Sequence, residues 1–213
     1  MYNVSDKLRT ISKLTSKQIY TNLLIKQIKP PTAINNWIES YPFLETIEWK
    51  DLYLLPYKTT NETNLHSFQY KILNKLTNCN EKLHLWKIKE SNKCSYCNKI
   101  DNIEHFLFWC TQSRKIWTQL ETWYQSVFEV KLNLTICEIL FGITTIDSIE
   151  VKILNYIILI TKFFIHKTKQ QENNLYFIEL LHYLKIKTET MLESNAITNK
   201  ENKEWQEELM NAF

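Results

Sequence analysis

Gly142 is the only glycine in this 213-residue chain, and all four prolines lie at or before Pro56. Tight hairpins, dinucleotide-binding turns and phosphate-cradling loops need glycine, either to reach positive φ or to let backbone approach a ligand. A chain so poor in glycine is expected to be built from helices joined by polar Asn, Ser, Thr and Lys loops. P-loop and dinucleotide functions are set aside on the same ground. Apolar residues make up 44% and charged residues 23%, too apolar for disorder and ordinary for a globular protein. The length allows one domain, or two small ones on a shared core.

Helical spacing recurs along the chain. A first helix is expected over 5–29, with Ile19, Leu23, Leu24 and Ile28 on one stripe and Pro30-Pro31 ending it. Two short elements follow, Ala33–Ser40 and Glu45–Leu55, separated by Pro42 and stopped at Pro56. A helix over about 62–76 aligns Leu65, Phe68, Ile72, Leu73 and Leu76, with Asn61 or the threonines before it as cap. A shorter one runs from Asn80 to Trp86. From Cys110-Thr111 a long helix reaches about 129, with Ile116, Leu120, Trp123 and Val127 on one stripe and Trp117, Tyr124 and Phe128 beside it. Asp147 with Glu150 resembles a capping box for a helix over 148–170. That segment is apolar nearly all round, which marks the central core helix. Its β-branched residues suit a strand, but strands usually run about 5–6 residues. Further helices are expected over 173–193, and after Thr198-x-x-Glu201 where Trp205 and Leu209 fall. The fold class is mainly α, in three segments: 1–60, 61–130 and 131–213.

The second constraint is a cluster. Cys94, Cys97, His105 and Cys110 form the pattern C-x2-C-x7-H-x4-C. Three thiolates and one imidazole are a closed tetrahedral donor set for one structural Zn²⁺, with no position left for a catalytic water. Such a site is formally −1, and Lys93 and Lys99 flank it. Metal binding at a site of this kind contributes roughly 10–16 kcal/mol of apparent folding free energy in zinc-finger peptides, enough to order the apolar-poor stretch 90–102. Cys94-x-x-Cys97 also reads as a redox dithiol, which leaves His105 and Cys110 unexplained and lacks a βαβ context. Cys79 and Cys137 read as buried thiols, with Cys79 also a fifth candidate ligand. The N-terminus has no apolar signal region. The most apolar run, Ile153–Ile165, has 13 residues and contains Lys162, too short for a bilayer crossing of about 20. A reducing, intracellular setting is expected, where such cysteines mean metal.

Net charge is only +3, but it is unevenly placed. Residues 81–100 carry five lysines against Glu81 and Glu90, whereas 189–208 carry six acids against Lys200 and Lys203. Lys82, Lys87, Lys89, Lys93 and Lys99, with Trp86 and Tyr96, form a candidate nucleic-acid surface. The alternative is a solvated face beside an aromatic core, and Phe106, Phe108 and Trp109 read as that core. No paired aspartates of a polymerase site, no H-E-x-x-H and no G-x-S-x-G occur. His166 and His182 lie on expected helices without obvious partners. No catalytic residues are assigned.

Four stretches together resemble the C-terminal region of non-LTR (LINE-type) retrotransposon reverse transcriptases. They are Leu14–Tyr20; Phe68–Asn74 with Asn80–Leu83; Cys94–Trp117, including Glu104-His105-Phe-Leu-Phe-Trp-Cys110; and Ile157–Lys169 with Trp205. The resemblance implies a CCHC reverse-transcriptase zinc-binding domain that engages template RNA or target DNA, acts in the nucleus, and follows polymerase and endonuclease domains that this chain lacks. Partners would be RNA or DNA and the upstream polymerase portion. A protein-binding helical scaffold and an inactive retrotransposon remnant are the alternatives. Met1 falls where upstream sequence is expected, as in the end piece of a broken element. The seven-residue gap and the absence of glycine in the loop set the pattern apart from the retroviral nucleocapsid knuckle.

Overall fold

The computed structural model describes residues 2–4, 7–9, 15–27, 31–144, 148–195 and 200–213. The chain divides into two compact units, Met1–Pro42 and Phe43–Phe213.

In the first unit, β1 (Tyr2–Val4) pairs antiparallel with β2 (Lys7–Arg9). The expected helix over 5–29 is therefore shorter: α1 spans Ser16–Gln27. Its start is set by a reciprocal cap. The Gln18 N–H donates to Thr15 Oγ1 at 3.3 Å, and the Thr15 N–H donates to Gln18 Oε1 at 3.0 Å, satisfying two donors that would otherwise be orphaned at the helix end. The expected stripe is largely solvent-facing, with Leu23 and Leu24 exposed; Ile28 lies outside the described residues. Helix α2 (Thr32–Ser40) buries Ala33 and Trp37.

A 3-10 turn, Pro42–Thr46, precedes α3 (Trp49–Thr59). Pro56 does not stop this helix but lies inside it, buried with Leu52 and Thr59. Burial of that face offsets the roughly 3 kcal/mol an interior proline costs. Helix α4 (Thr63–Leu73) buries Leu65, Phe68, Ile72 and Leu73, while Leu76 falls beyond its end and is exposed. Glu62 occupies the N-cap position without capping the helix through its side chain, which pairs with Lys187 instead, and Thr60 Oγ1 accepts its N–H. Helix α5 is Asn80–Leu85 and α6 is Thr111–Phe128. The buried stripe of α6 is Ser113, Ile116, Trp117, Leu120 and Tyr124. It is rotated from the expected one, so Trp123 and Val127 sit at its edge. No helix is expected over 131–144, yet α7 (Ile136–Phe141) forms there. Thr135 and Glu138 make a full capping box at its start.

Helix α8 (Ile149–Gln170) is central as expected, touching α3, α4, α7, α9 (Phe177–Asn195) and α10 (Lys200–Met210). Its cap is Ser148, whose Oγ accepts the Val151 N–H at 3.3 Å; Asp147 lies outside the described residues, as does Thr198. Ile153, Ile157, Ile158, Ile160 and Ile165 are each at most 1% exposed. At roughly 1.5–3 kcal/mol per buried side chain, packing outweighs a β-branched helix penalty of at most about 0.7 kcal/mol per residue. In α9 the buried face is Leu180, Leu184, Thr188 and Met191. No described helix is long and apolar enough to cross a membrane.

Candidate metal centre

The cluster is built by two local devices. The first is a narrow loop over 92–101. Lys93 and Ile100 form an antiparallel bridge; the Cys94 N–H donates to Lys99 O at 2.7 Å, and the Asp101 N–H to Asn92 O at 2.9 Å. At its tip the Asn98 N–H donates to Cys94 O at 2.8 Å, and Asn98 takes φ 59°. Asparagine enters the left-handed region more readily than most residues, so the turn forms without glycine. It brings Cys94 and Cys97 to one side.

The second device is a π-helical turn, His105–Trp109. Asn102 starts it, its Oδ1 accepting the His105 N–H at 2.8 Å. The Cys110 N–H then donates to His105 O at 2.8 Å, an i→i+5 bond. At 3.6 residues per turn, side chains five apart on an α-helix diverge by roughly 140°. The wider turn brings His105 and Cys110 back together. The turn's carbonyls find partners outside it. Phe106 O accepts from Ser113 Oγ at 2.8 Å and from Lys169 Nζ at 3.0 Å, and Leu107 O accepts the Trp117 indole N–H at 2.7 Å. Buried backbone carbonyls need such partners.

The donor atoms of Cys94, Cys97, His105 and Cys110 all lie within 4.8 Å of one another. Cys94 Sγ is 3.7 Å from Cys110 Sγ, and Cys97 Sγ is 3.1 Å from His105 Nε2. These four residues are close enough to hold a metal ion. Cys94, His105 and Cys110 are buried and Cys97 is half-buried. None of the five cysteines is in a disulfide. Burial holds His105 below the usual histidine value, favouring the neutral imidazole that ligates. Burial pushes the Cys94 thiol up to about 12. At Cys110 burial acts the same way, but the Lys169 charge and the Ser113 and Gln112 backbone N–H groups outweigh it, and the thiol is held below its usual value. Cys79 is also buried, raised to about 11 mainly by desolvation, and lies outside the cluster. His166 is half-buried between the Phe68 and Phe106 rings, lowered to about 4 mainly by burial.

The centre is clasped by the end of α8 and the residues after it. Lys169 is buried; its Nζ lies 3.9 Å from Asp101 Oδ1 and sits over the rings of Phe106 (4.2 Å) and Tyr96 (5.6 Å). Asp101 is equally buried, and its Oδ2 accepts the Asn80 N–H. The Tyr96 hydroxyl donates to Asn173 O at 2.6 Å, Gln170 Nε2 donates to Asn78 O at 2.7 Å, and Lys89 pairs with Glu172 at 3.3 Å. The sequence points to Lys93 and Lys99 as the compensating cations. Both are exposed, and Lys169, 59 positions beyond Cys110, is the buried one. Its only sequence signal is a lysine near the end of a largely apolar helix.

Of the candidate surface residues, Lys87, Lys89, Lys93, Lys99 and Trp86 are exposed and Lys82 is half-buried. Tyr96 is half-buried with its hydroxyl engaged. Phe106 and Phe108 are core as expected, whereas Trp109 is not: it is 58% exposed. No protein-family model, curated protein sequence or solved structure matches this chain.

Proposed function

We propose that this chain is a zinc-stabilised nucleic-acid-binding accessory module, without catalytic activity, of the kind found at the C-terminal end of LINE-type reverse transcriptases. The convergence of three thiols and an imidazole carries the reading. A tetrahedral Zn²⁺ with Zn–S near 2.3 Å holds its sulfurs about 3.8 Å apart, and Cys94 and Cys110 stand at 3.7 Å. Soft thiolate donors with one imidazole favour zinc over hard cations such as Mg²⁺ or Ca²⁺. Cys94, Cys97, His105 and Cys110 would fill the shell, so the ion would shape the fold and activate no water. Around it the loop bearing Cys94 and Cys97 presents Lys93 and Lys99, and the segment after α5 presents Lys87 and Lys89, all exposed. Such lysines suit phosphate contacts.

The resemblance to the LINE-type zinc-binding region supplies the setting: an intracellular, nuclear protein working on RNA or DNA beside a polymerase portion. A second reading, a scaffold docking to that polymerase portion, is favoured by the exposure of Leu85, Ile88 and Ile100.

Metal content and salt dependence test the main reading. Purified protein is expected to hold one zinc per chain, and Cys110→Ser none. If Lys87, Lys89, Lys93 and Lys99 each neutralise one phosphate, affinity for a single strand should fall roughly 150-fold between 50 and 300 mM salt. Affinity unchanged over that range refutes phosphate binding. Absence of affinity together with capture of polymerase protein supports the scaffold.

A further inference from the structure

We infer that Trp109, Arg114 and Lys115 form a stacking site for single-stranded nucleic acid at the end of the π-turn, an inference that rests on the nucleic-acid reading above. His105, Phe106, Leu107 and Phe108 are buried, yet Trp109, the last residue of the same turn, is 58% exposed. This ring is not loose. It stands edge-on to Phe108, with centroids 4.6 Å apart and planes at 76°. The Arg114 guanidinium lies over that same Phe108 ring at 4.6 Å. Ring, ring and guanidinium thus form one fixed assembly anchored next to a metal ligand.

The assembly borders an open groove of about 480 Å³ lined by Trp109, Thr111, Arg114, Lys115, Thr118 and Gln119. Its only charges are Arg114 and Lys115, both basic. Neither is in an ion pair among the described residues, and Arg114 Nη1 is shielded from solvent without an acceptor. Two cations with no acid beside them on the groove wall suit an occupant that carries negative charge. The groove therefore calls for an occupant that carries both negative oxygens and flat aromatic faces. A single strand offers phosphates to Arg114 and Lys115 and a base face to the indole. A duplex hides its base faces, and inorganic polyphosphate has none. The lysines near the centre would then carry neighbouring phosphates, with the base contact on Trp109 and not on Trp86.

The test is fluorescence anisotropy of a labelled 12-nucleotide oligo(dT) with zinc-loaded full-length chain. Wild type is expected to bind. Trp109→Ala should weaken binding by roughly fivefold or more, since one stacked base is worth at least that, while Trp109→Phe retains most of it and Trp86→Ala changes it little. Lys115→Glu, an exposed position, should also weaken binding. Circular dichroism and zinc content confirm that each variant folds. Unlabelled single strand should compete better than the matching duplex or polyphosphate. If wild type binds with salt-sensitive affinity but Trp109→Ala and Lys115→Glu bind like wild type, this site is overturned and the nucleic-acid reading stands. Equal competition by polyphosphate also overturns it. If wild type itself binds no nucleic acid, both fall.

Discussion

Replacing Lys169 by methionine is the sharpest probe of how the metal centre joins the helical body. The lysine and Asp101 side chains are each 2% exposed, with Nζ 3.9 Å from Oδ1. At that separation and an effective dielectric near 20, their attraction is about 4 kcal/mol. Removing one member of a buried pair and stranding the other typically costs about 3–5 kcal/mol. The lost bond to Phe106 O adds little, because Ser113 Oγ still donates there. A zinc centre with three thiolates, formally −1, would lie close to the same stranded carboxylate. Lys169→Met should therefore lower unfolding free energy by about 3–5 kcal/mol in urea titrations at saturating zinc, and weaken zinc in chelator competition. Lys169→Met combined with Asp101→Asn should recover at least half of the lost stability, since the carboxylate is then no longer stranded. A loss below about 1 kcal/mol for the single variant, or no recovery in the double, would refute the reasoning.

Two further outcomes follow from the core. Gly142→Ala should cost at least about 2 kcal/mol in the same titration: Gly142 has φ 81°, and a Cβ there would lie 2.3 Å from Leu55 Cδ2. Lys162 is buried on α8, its Nζ donating to Gln69 Oε1 at 2.6 Å, and burial lowers it to about 7. The unfolded lysine titrates near 10.4, so between about pH 7 and 10 the unfolded chain binds more protons and this group makes stability rise with pH. Below pH 7 both states are charged and the contribution is flat. Lys162→Met should remove that rise, seen as the wild-type minus variant difference in unfolding free energy at pH 7 and pH 9.5.

The helices carried by long apolar periodicity, α4, α6 and α8, could be read directly, because burial of one stripe or of the whole surface decides them. So could the four clustered donors, which are close in sequence. What failed depended on side chains satisfying backbone. The start of α1 is fixed by Thr15 with Gln18; α8 begins where expected, but its cap is Ser148. Helix α7 is too short for periodicity, although its Thr135-x-x-Glu138 box was visible. Pro56 reads as a stop because a proline's cost is local and the compensating burial is tertiary. The rotation of the α6 stripe toward Trp117 follows from the indole N–H reaching Leu107 O. Trp109 misleads for a related reason: an α-helical count through Glu104–Cys110 misses the one-residue widening that turns it outward. Lys169 and Asp101 could not be paired from sequence, since nothing local links residues 68 positions apart.

The clasp from Lys169 to Asn173 bears on how such a chain can change over generations. An autonomous finger can be cut out, duplicated or moved between proteins as a cassette, because its ligands and its support lie in one short stretch. Here the four candidate donors end at Cys110 while part of their support arrives about sixty residues later. A recombination between them would separate the cysteines from the cation and carbonyl that steady them. The two stretches should be inherited together, and a substitution at Asp101 or Tyr96 should favour an answering change at Lys169 or in the turn near Asn173.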